Sequence, residues 1–72
     1  MEHIMKVQRN DVGEIISFLT STGRIISYRK ALMEAENGTL QGVNIIIDQY
    51  GIASLCSEDE NDINFSEYPT IF

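Results

Sequence analysis

Proline, histidine and cysteine each occur once in this chain of 72 residues, and tryptophan not at all. The single cysteine, Cys56, permits no internal disulfide. A structural zinc site needs about four ligands, mostly Cys and His; His3 and Cys56 alone cannot build one, so no metal and no other cofactor is expected. A chain this short buries only about 60% of the surface its unfolded form exposes. Without staples its core supplies roughly 3–5 kcal/mol. Folding must therefore rest on apolar burial, or draw on association with a partner or a second copy.

Bases are also scarce, five against eleven acids, for a net charge of −6. Proteins that neutralise phosphates carry clustered Lys and Arg, and no such cluster occurs here, so nucleic acid is not an expected partner. No apolar run approaches the ~20 residues that span a bilayer. The opening MEHIMKVQRN has no apolar signal core, and Glu2 occupies the position where a myristoylated chain has glycine. The expectation is a cytoplasmic protein without a membrane anchor, consistent with the lone cysteine.

Residues 2–9 alternate loosely and read as a first strand. Asn10-Asp11-Val12-Gly13 has turn chemistry. Glu14–Thr20 is rich in β-branched and aromatic residues and reads as a second strand, with Ile16 and Phe18 on one face and Ile15 and Leu19 on the other. After Ser21-Thr22-Gly23, the segment Arg24–Ile26 is a short extended piece that can serve as a third strand. Ser27 fits a helix N-cap. Tyr28, Ala31, Leu32 and Ala35 then share one helical face, and Asn37-Gly38 stops the helix near Glu36. Val43-Asn44-Ile45-Ile46-Ile47 is the strongest apolar run and reads as a buried strand. Asp48–Gly51 turns the chain into a last strand, Ile52–Cys56. The fold class is α+β in the order ββ(β)αββ, one helix packed on one mainly antiparallel sheet. The expected core is Ile16, Phe18, Tyr28, Leu32, Val43, Ile45, Ile46 and Ile47, part of which can instead serve as an interface.

The charge is placed unevenly. Residues 57–72 hold five acids and no base, so nearly all of the net charge lies there. Residues 1–56 are expected to form the compact domain and 57–72 an acidic tail, exposed through SEDEND but closing on apolar Tyr68-Pro69-Thr70-Ile71-Phe72.

Each residue capable of chemistry has a simpler reading beside the functional one. His3 lacks a nucleophile or acid in sequence to work with, and a surface histidine suffices. Cys56 lies in an apolar strand next to acids, which disfavours a thiolate; an inert thiol suffices. The run from Glu58 to Asp62 does not match a calcium loop, because Ile63 and Asn64 fall where an oxygen ligand and a glycine are needed. The glycines form no phosphate-binding pattern. Arg24, Arg29 and Lys30 are the densest bases, readable as ordinary surface charge or as partners for the acidic tail. A set of catalytic groups is missing, so no enzyme is expected.

Gly13-Glu14-Ile15, Gly23-Arg24-Ile25 leading into a helix with Ala31, Asn37-Gly38, Gly42-Val43-Asn44, Gly51 and the closing Pro69-Thr70 with Phe72 carry a resemblance. In these features the chain resembles a family of small uncharacterised domains from Gram-positive bacteria and their prophages. The family's Leu-Arg-Ser and Asn-Asn-Leu stretches have Leu55-Cys56-Ser57 and Ile63-Asn64-Phe65 in their places. The resemblance implies a bacterial or phage origin and a cytoplasmic setting. It brings no activity and no site residues.

The functional expectation is a small non-enzymatic protein-interaction module, binding a protein partner or forming a homodimer, with Asp59, Glu60, Asp62, Tyr68 and Phe72 as the candidate contact residues. The alternative is a nucleic-acid-related regulator, acting by DNA mimicry or weak DNA binding.

Overall fold

The computed structural model describes residues 2–71. Six strands and one helix follow in the order β1 (Glu2–Arg9), β2 (Ile15–Thr20), β3 (Ile25–Ser27), α1 (Tyr28–Glu36), β4 (Leu40–Gln41), β5 (Val43–Ile47) and β6 (Ala53–Ser57). The α+β class is as expected, with α1 resting on a curled, mainly antiparallel sheet. Hydrogen bonding divides that sheet into a four-stranded part, β3-β2-β1-β4, and a pair, β5-β6. Strand β4 was not anticipated. It is two residues long and pairs in parallel with β1, Glu2 opposite Leu40 and His3 opposite Gln41. At Gly42, where φ is +82°, the chain turns away from β1 and enters the β5–β6 hairpin.

The loose alternation of β1 has a physical cause. Between Ile4↔Thr20 and Lys6↔Leu19 the ladder skips Met5, and between Gln8↔Ser17 and Arg9↔Ile15 it skips Ile16. Each skipped residue is a bulge, which bends the strand and coils the sheet. Both Met5 and Ile16 are left exposed, and the buried residues of β1, Ile4 and Val7, fall three apart instead of two.

Three tight turns share one design. In Asn10–Glu14, Thr20–Arg24 and Asp48–Ile52, the fourth residue is glycine and its N–H donates to the carbonyl of the first, at 3.0 Å in each case. The first residue's N–H donates to the carbonyl of the fifth, and its side-chain oxygen accepts from the fifth residue's N–H. Gly13, Gly23 and Gly51 have φ of +87°, +87° and +80°, the left-handed conformation that closes a three-residue hairpin loop and that glycine adopts without a Cβ penalty.

The helix obeys its sequence signals. The Ser27 hydroxyl accepts from the Lys30 N–H at 3.1 Å, Ala31 is fully buried, and Tyr28, Leu32 and Ala35 pack against the core. The core is Ile4, Val7, Phe18, Ile26, Ala31, Leu40, Leu55 and Phe65. Two expectations are overturned. Strand β5 is present but not buried: Val43 and Ile45 are half-buried, while Ile46 and Ile47 face solvent, as does Ile16. Residues 46–52, the distal end of the hairpin, are all exposed.

The second correction is partial: residues 58–61 of SEDEND are exposed as expected, but Ser57 and Asp62 are buried. Within residues 57–71, Ser57, Asp62 and Phe65 are buried against the body. Phe65, 1% exposed, enters the core in edge contact with Phe18 and Tyr68, at centroid distances of 5.6 and 5.2 Å. Val7 donates to the Pro69 carbonyl and accepts from the Ile71 N–H, both at 3.0 Å, laying the closing residues along the edge of β1.

Candidate interaction surface

The β5–β6 hairpin carries the largest group of exposed apolar side chains. Ile46, Ile47, Tyr50 and Ile52 are 51, 68, 78 and 61% exposed. Strand register sets their arrangement. Ile46 lies opposite Ser54 and Ile47 opposite Ala53, so the two isoleucines project from opposite faces of the hairpin, with Tyr50 and Ile52 at its tip. The Asp48 carboxylate accepts from the N–H groups of Tyr50 at 2.8 Å and Ile52 at 3.0 Å, which fixes the tip conformation. A groove of about 610 Å³ runs between this end of β6 and the start of β2, lined by Ile15, Ile16, Tyr28, Arg29, Ile52 and Ala53 among others. The tip is thus a fixed apolar projection beside an open groove. Isolated exposed apolar residues are ordinary, but grouped ones mark contact surfaces. The sequence signal was there to be used: Ile45-Ile46-Ile47 lacks the period of two that a half-buried strand shows, and Tyr50 and Ile52 sit in and next to a turn.

The expected contact residues that are described have different surroundings. Asp59 and Glu60 are exposed; Asp59 accepts from the Asn61 N–H at 2.9 Å in a local turn. Asp62 is internal to the fold. Its carboxylate accepts from the Ser66 hydroxyl and from the N–H groups of Ser66 and Glu67, the last at 2.8 Å. The Ser66 hydroxyl is the main cause holding its carboxyl below the usual range, helped by the two backbone donors and the charge of Arg9. Tyr68 is half-buried against Phe65. Phe72 lies outside the described residues. The four described positions thus differ in exposure: Asp59 and Glu60 lie at the surface, Tyr68 is half-buried and Asp62 is buried.

A second cluster joins three elements. Arg24 donates to both carboxylate oxygens of Glu2, at 2.5 and 2.9 Å, and to Glu34 of α1 at 2.6 Å. Glu2 also accepts from the hydroxyls of Thr20 and Thr22. These donors, Arg24 foremost, pull the Glu2 carboxyl from an ordinary 4.5 to about 2, and the carboxylates of Glu2 and Glu34 in turn raise the Arg24 guanidinium. The second Glu34 oxygen, Oε2, is buried and accepts no hydrogen bond. Every charge here is engaged with another element of the same chain, so the cluster reads as a clamp on β1, the β2–β3 turn and α1. Arg29 and Lys30 are exposed; the base that reaches the tail is Arg9, which donates to the carbonyls of Gly13 and Asn64, both at 2.8 Å. His3 is exposed and Cys56 buried. Among the described residues no group of three or more His, Cys, Asp or Glu could hold a metal ion, and no helix is long and apolar enough to cross a membrane.

Comparison with known proteins places the chain without assigning it a reaction. A family model described as a protein of unknown function, DUF3892, matches residues 3–64. The uncharacterised protein YwsA of Bacillus subtilis strain 168 is 40% identical over 70 residues, spanning 94% of this chain and 70% of YwsA. That relative agrees with the Gram-positive setting implied by the turn and cap residues. No solved structure matches. With the model covering most of the chain from β1 to the tail, this protein belongs to the DUF3892 family.

Proposed function

We propose that this chain is a non-enzymatic protein-interaction module whose contact surface is the distal half of the β5–β6 hairpin. The observation that carries the reading is the group of exposed apolar residues Ile46, Ile47, Tyr50 and Ile52 on a tip whose backbone is fixed by Asp48. A fixed projection loses little conformational entropy on binding, and aromatic and aliphatic anchors supply most of the energy at interfaces. The acidic residues Asp59 and Glu60, exposed at the far end of β6, serve to keep a chain with an apolar tip soluble.

The repeated turn design supplies an internal control. Val12 holds the same place in the Asn10–Glu14 turn as Tyr50 in Asp48–Ile52 and is equally exposed, but its neighbours Asp11 and Glu14 are charged. A photo-crosslinking residue at position 50, introduced in the cells that make the protein, is expected to give discrete protein adducts, while the same residue at position 12 gives none. Equal labelling from both positions, or none from either, overturns the reading.

A further inference from the structure

We propose that the free edge of β5 pairs with β5 of a second copy, antiparallel and centred on Ile45. This rests on the reading of the hairpin as a contact surface and names its partner.

Among the described residues, strand β5 pairs with β6 along one edge only. In that ladder Asp48 N–H donates to the Ile52 carbonyl at 3.1 Å and Glu58 N–H to the Gly42 carbonyl at 3.0 Å, so the even-numbered residues of this strand turn their backbone groups toward β6. By the alternation of an antiparallel ladder, Val43, Ile45 and Ile47 turn theirs outward. Gln41, the preceding odd-numbered residue, faces β1, and β1 would have continued along this edge had the chain not bent at Gly42. From Val43 onward the two separate, leaving a groove of about 570 Å³ lined by His3, Gln41, Gly42, Val43 and Tyr68 among others. The edge is five residues of strand without charge or proline, the devices that ordinarily block edge pairing.

The order of residues identifies a second copy as the occupant. An antiparallel pair centred on Ile45 sets Ile45 against the partner's Ile45, and Val43 against the partner's Ile47. The outward donors and acceptors of 43, 45 and 47 then meet in register. All side chains on that face are aliphatic, and Ile47, exposed beyond its own core, is set beside the partner's half-buried Val43. On the other face Asn44 lies against the partner's Ile46. A register shifted by one residue would turn backbone groups toward a partner's side that has none to offer. The pairing is isologous, so it closes at two copies, and it joins two hairpins into one four-stranded sheet. Five residues of edge bury less than the roughly 800 Å² per partner of a standard interface, so the dimer forms in concentrated solution and dissociates on dilution.

The test reads both assembly and register. Sedimentation across a range of concentrations is expected to show a reversible monomer–dimer equilibrium, with amide exchange at Ile45 and Ile47 slowing as the dimer forms. In a Cys56→Ser background, Asn44→Cys and Ile46→Cys place thiols on the solvent face. Opposed residues of a non-hydrogen-bonded pair have Cα atoms about 4.5 Å apart, within disulfide reach. A mixture of the two variants under mild oxidation is expected to give several-fold more cross-linked dimer than either alone. A chain that stays monomeric at every concentration overturns the proposal, as does a dimer whose cross-linking shows no preference for the 44–46 pair. If the chain stays monomeric while position 50 captures a different protein in cells, self-pairing falls and the interaction module stands.

Discussion

Phe65 is the residue on which the closing segment depends, and it sits in an unfavourable conformation to do so. Its φ is 59°, and Asp62–Ser66 repeats part of the design of the three glycine turns: Phe65 N–H donates to the Asp62 carbonyl at 3.1 Å and Ser66 N–H to the Asp62 carboxylate at 2.7 Å. Phenylalanine thus occupies the place that glycine holds in the other three. A left-handed conformation costs a residue with a Cβ about 1–2 kcal/mol, and burial of the ring beside Phe18 offsets it. Truncating a core phenylalanine costs about 3–5 kcal/mol, which is the whole stability expected of so small a core. Both Phe65→Ala and Phe65→Gly are therefore expected to unfold in plain buffer. In an osmolyte that restores folding, Phe65→Gly should be the more stable by about 1 kcal/mol, the reverse of the usual order of these two residues. Thermal unfolding decides it; alanine at or above glycine would show that position 65 carries no backbone strain.

At the scale of elements, the local pieces were legible and the non-local ones were not. Helix α1 was readable to the residue because its cap, its face and its stop are all set by neighbours within a few positions. Strand β5 was readable as a strand, but its exposure depends on how far α1 and the core extend beneath it, which no local pattern records. Strand β4 exists only because β1 lies alongside, and two residues carry no periodicity. The tail misled because charge dominates its composition, while its structural residues, Asp62 and Phe65, are single positions. Asp62 reads as one acid among five until its three hydrogen bonds are seen. The apolar character of Ile46 and Ile47 likewise points to the core, although both face solvent. One consequence is testable by deletion. A chain ending after Cys56 loses Phe65, Tyr68 and the Pro69–Ile71 contacts with Val7, and is expected to show no cooperative thermal transition and a collapsed amide NMR spectrum. A folded truncated chain would mean that residues 1–56 are a domain in their own right.

Over the whole molecule, the clamp of Glu2, Arg24 and Glu34 ties the first strand, the β2–β3 turn and the helix to one guanidinium, and this sets a pH window. The folded-state carboxyl of Glu2 titrates at about 2, against an ordinary 4.5. A lowered folded value contributes stability that is fully present above about 4.5 and lost as pH falls toward about 2. Urea unfolding at pH 6 and at pH 3 is expected to show a loss for the natural chain that is smaller in Glu2→Gln, with the remaining loss assigned to Asp62 and other carboxyls. An equal loss in both would remove Glu2 from the account. The Val7–Thr70 bridge has a consequence in time. Val7 is made 62 positions before its partner Pro69, roughly 3–12 s at about 5–20 residues per second of synthesis. For those seconds no sequence of local events can finish the fold, since the ring that fills the core and the segment that covers the β1 edge do not yet exist. Once β5 is made, Pro69 follows Ile47 by 22 positions, about 1–4 s at that rate. Over that span the Val7 backbone groups that face Pro69 and Ile71 stay unpaired beside an uncharged, partly exposed strand, and the rate of synthesis governs how long the protein is open to capture by the wrong neighbour.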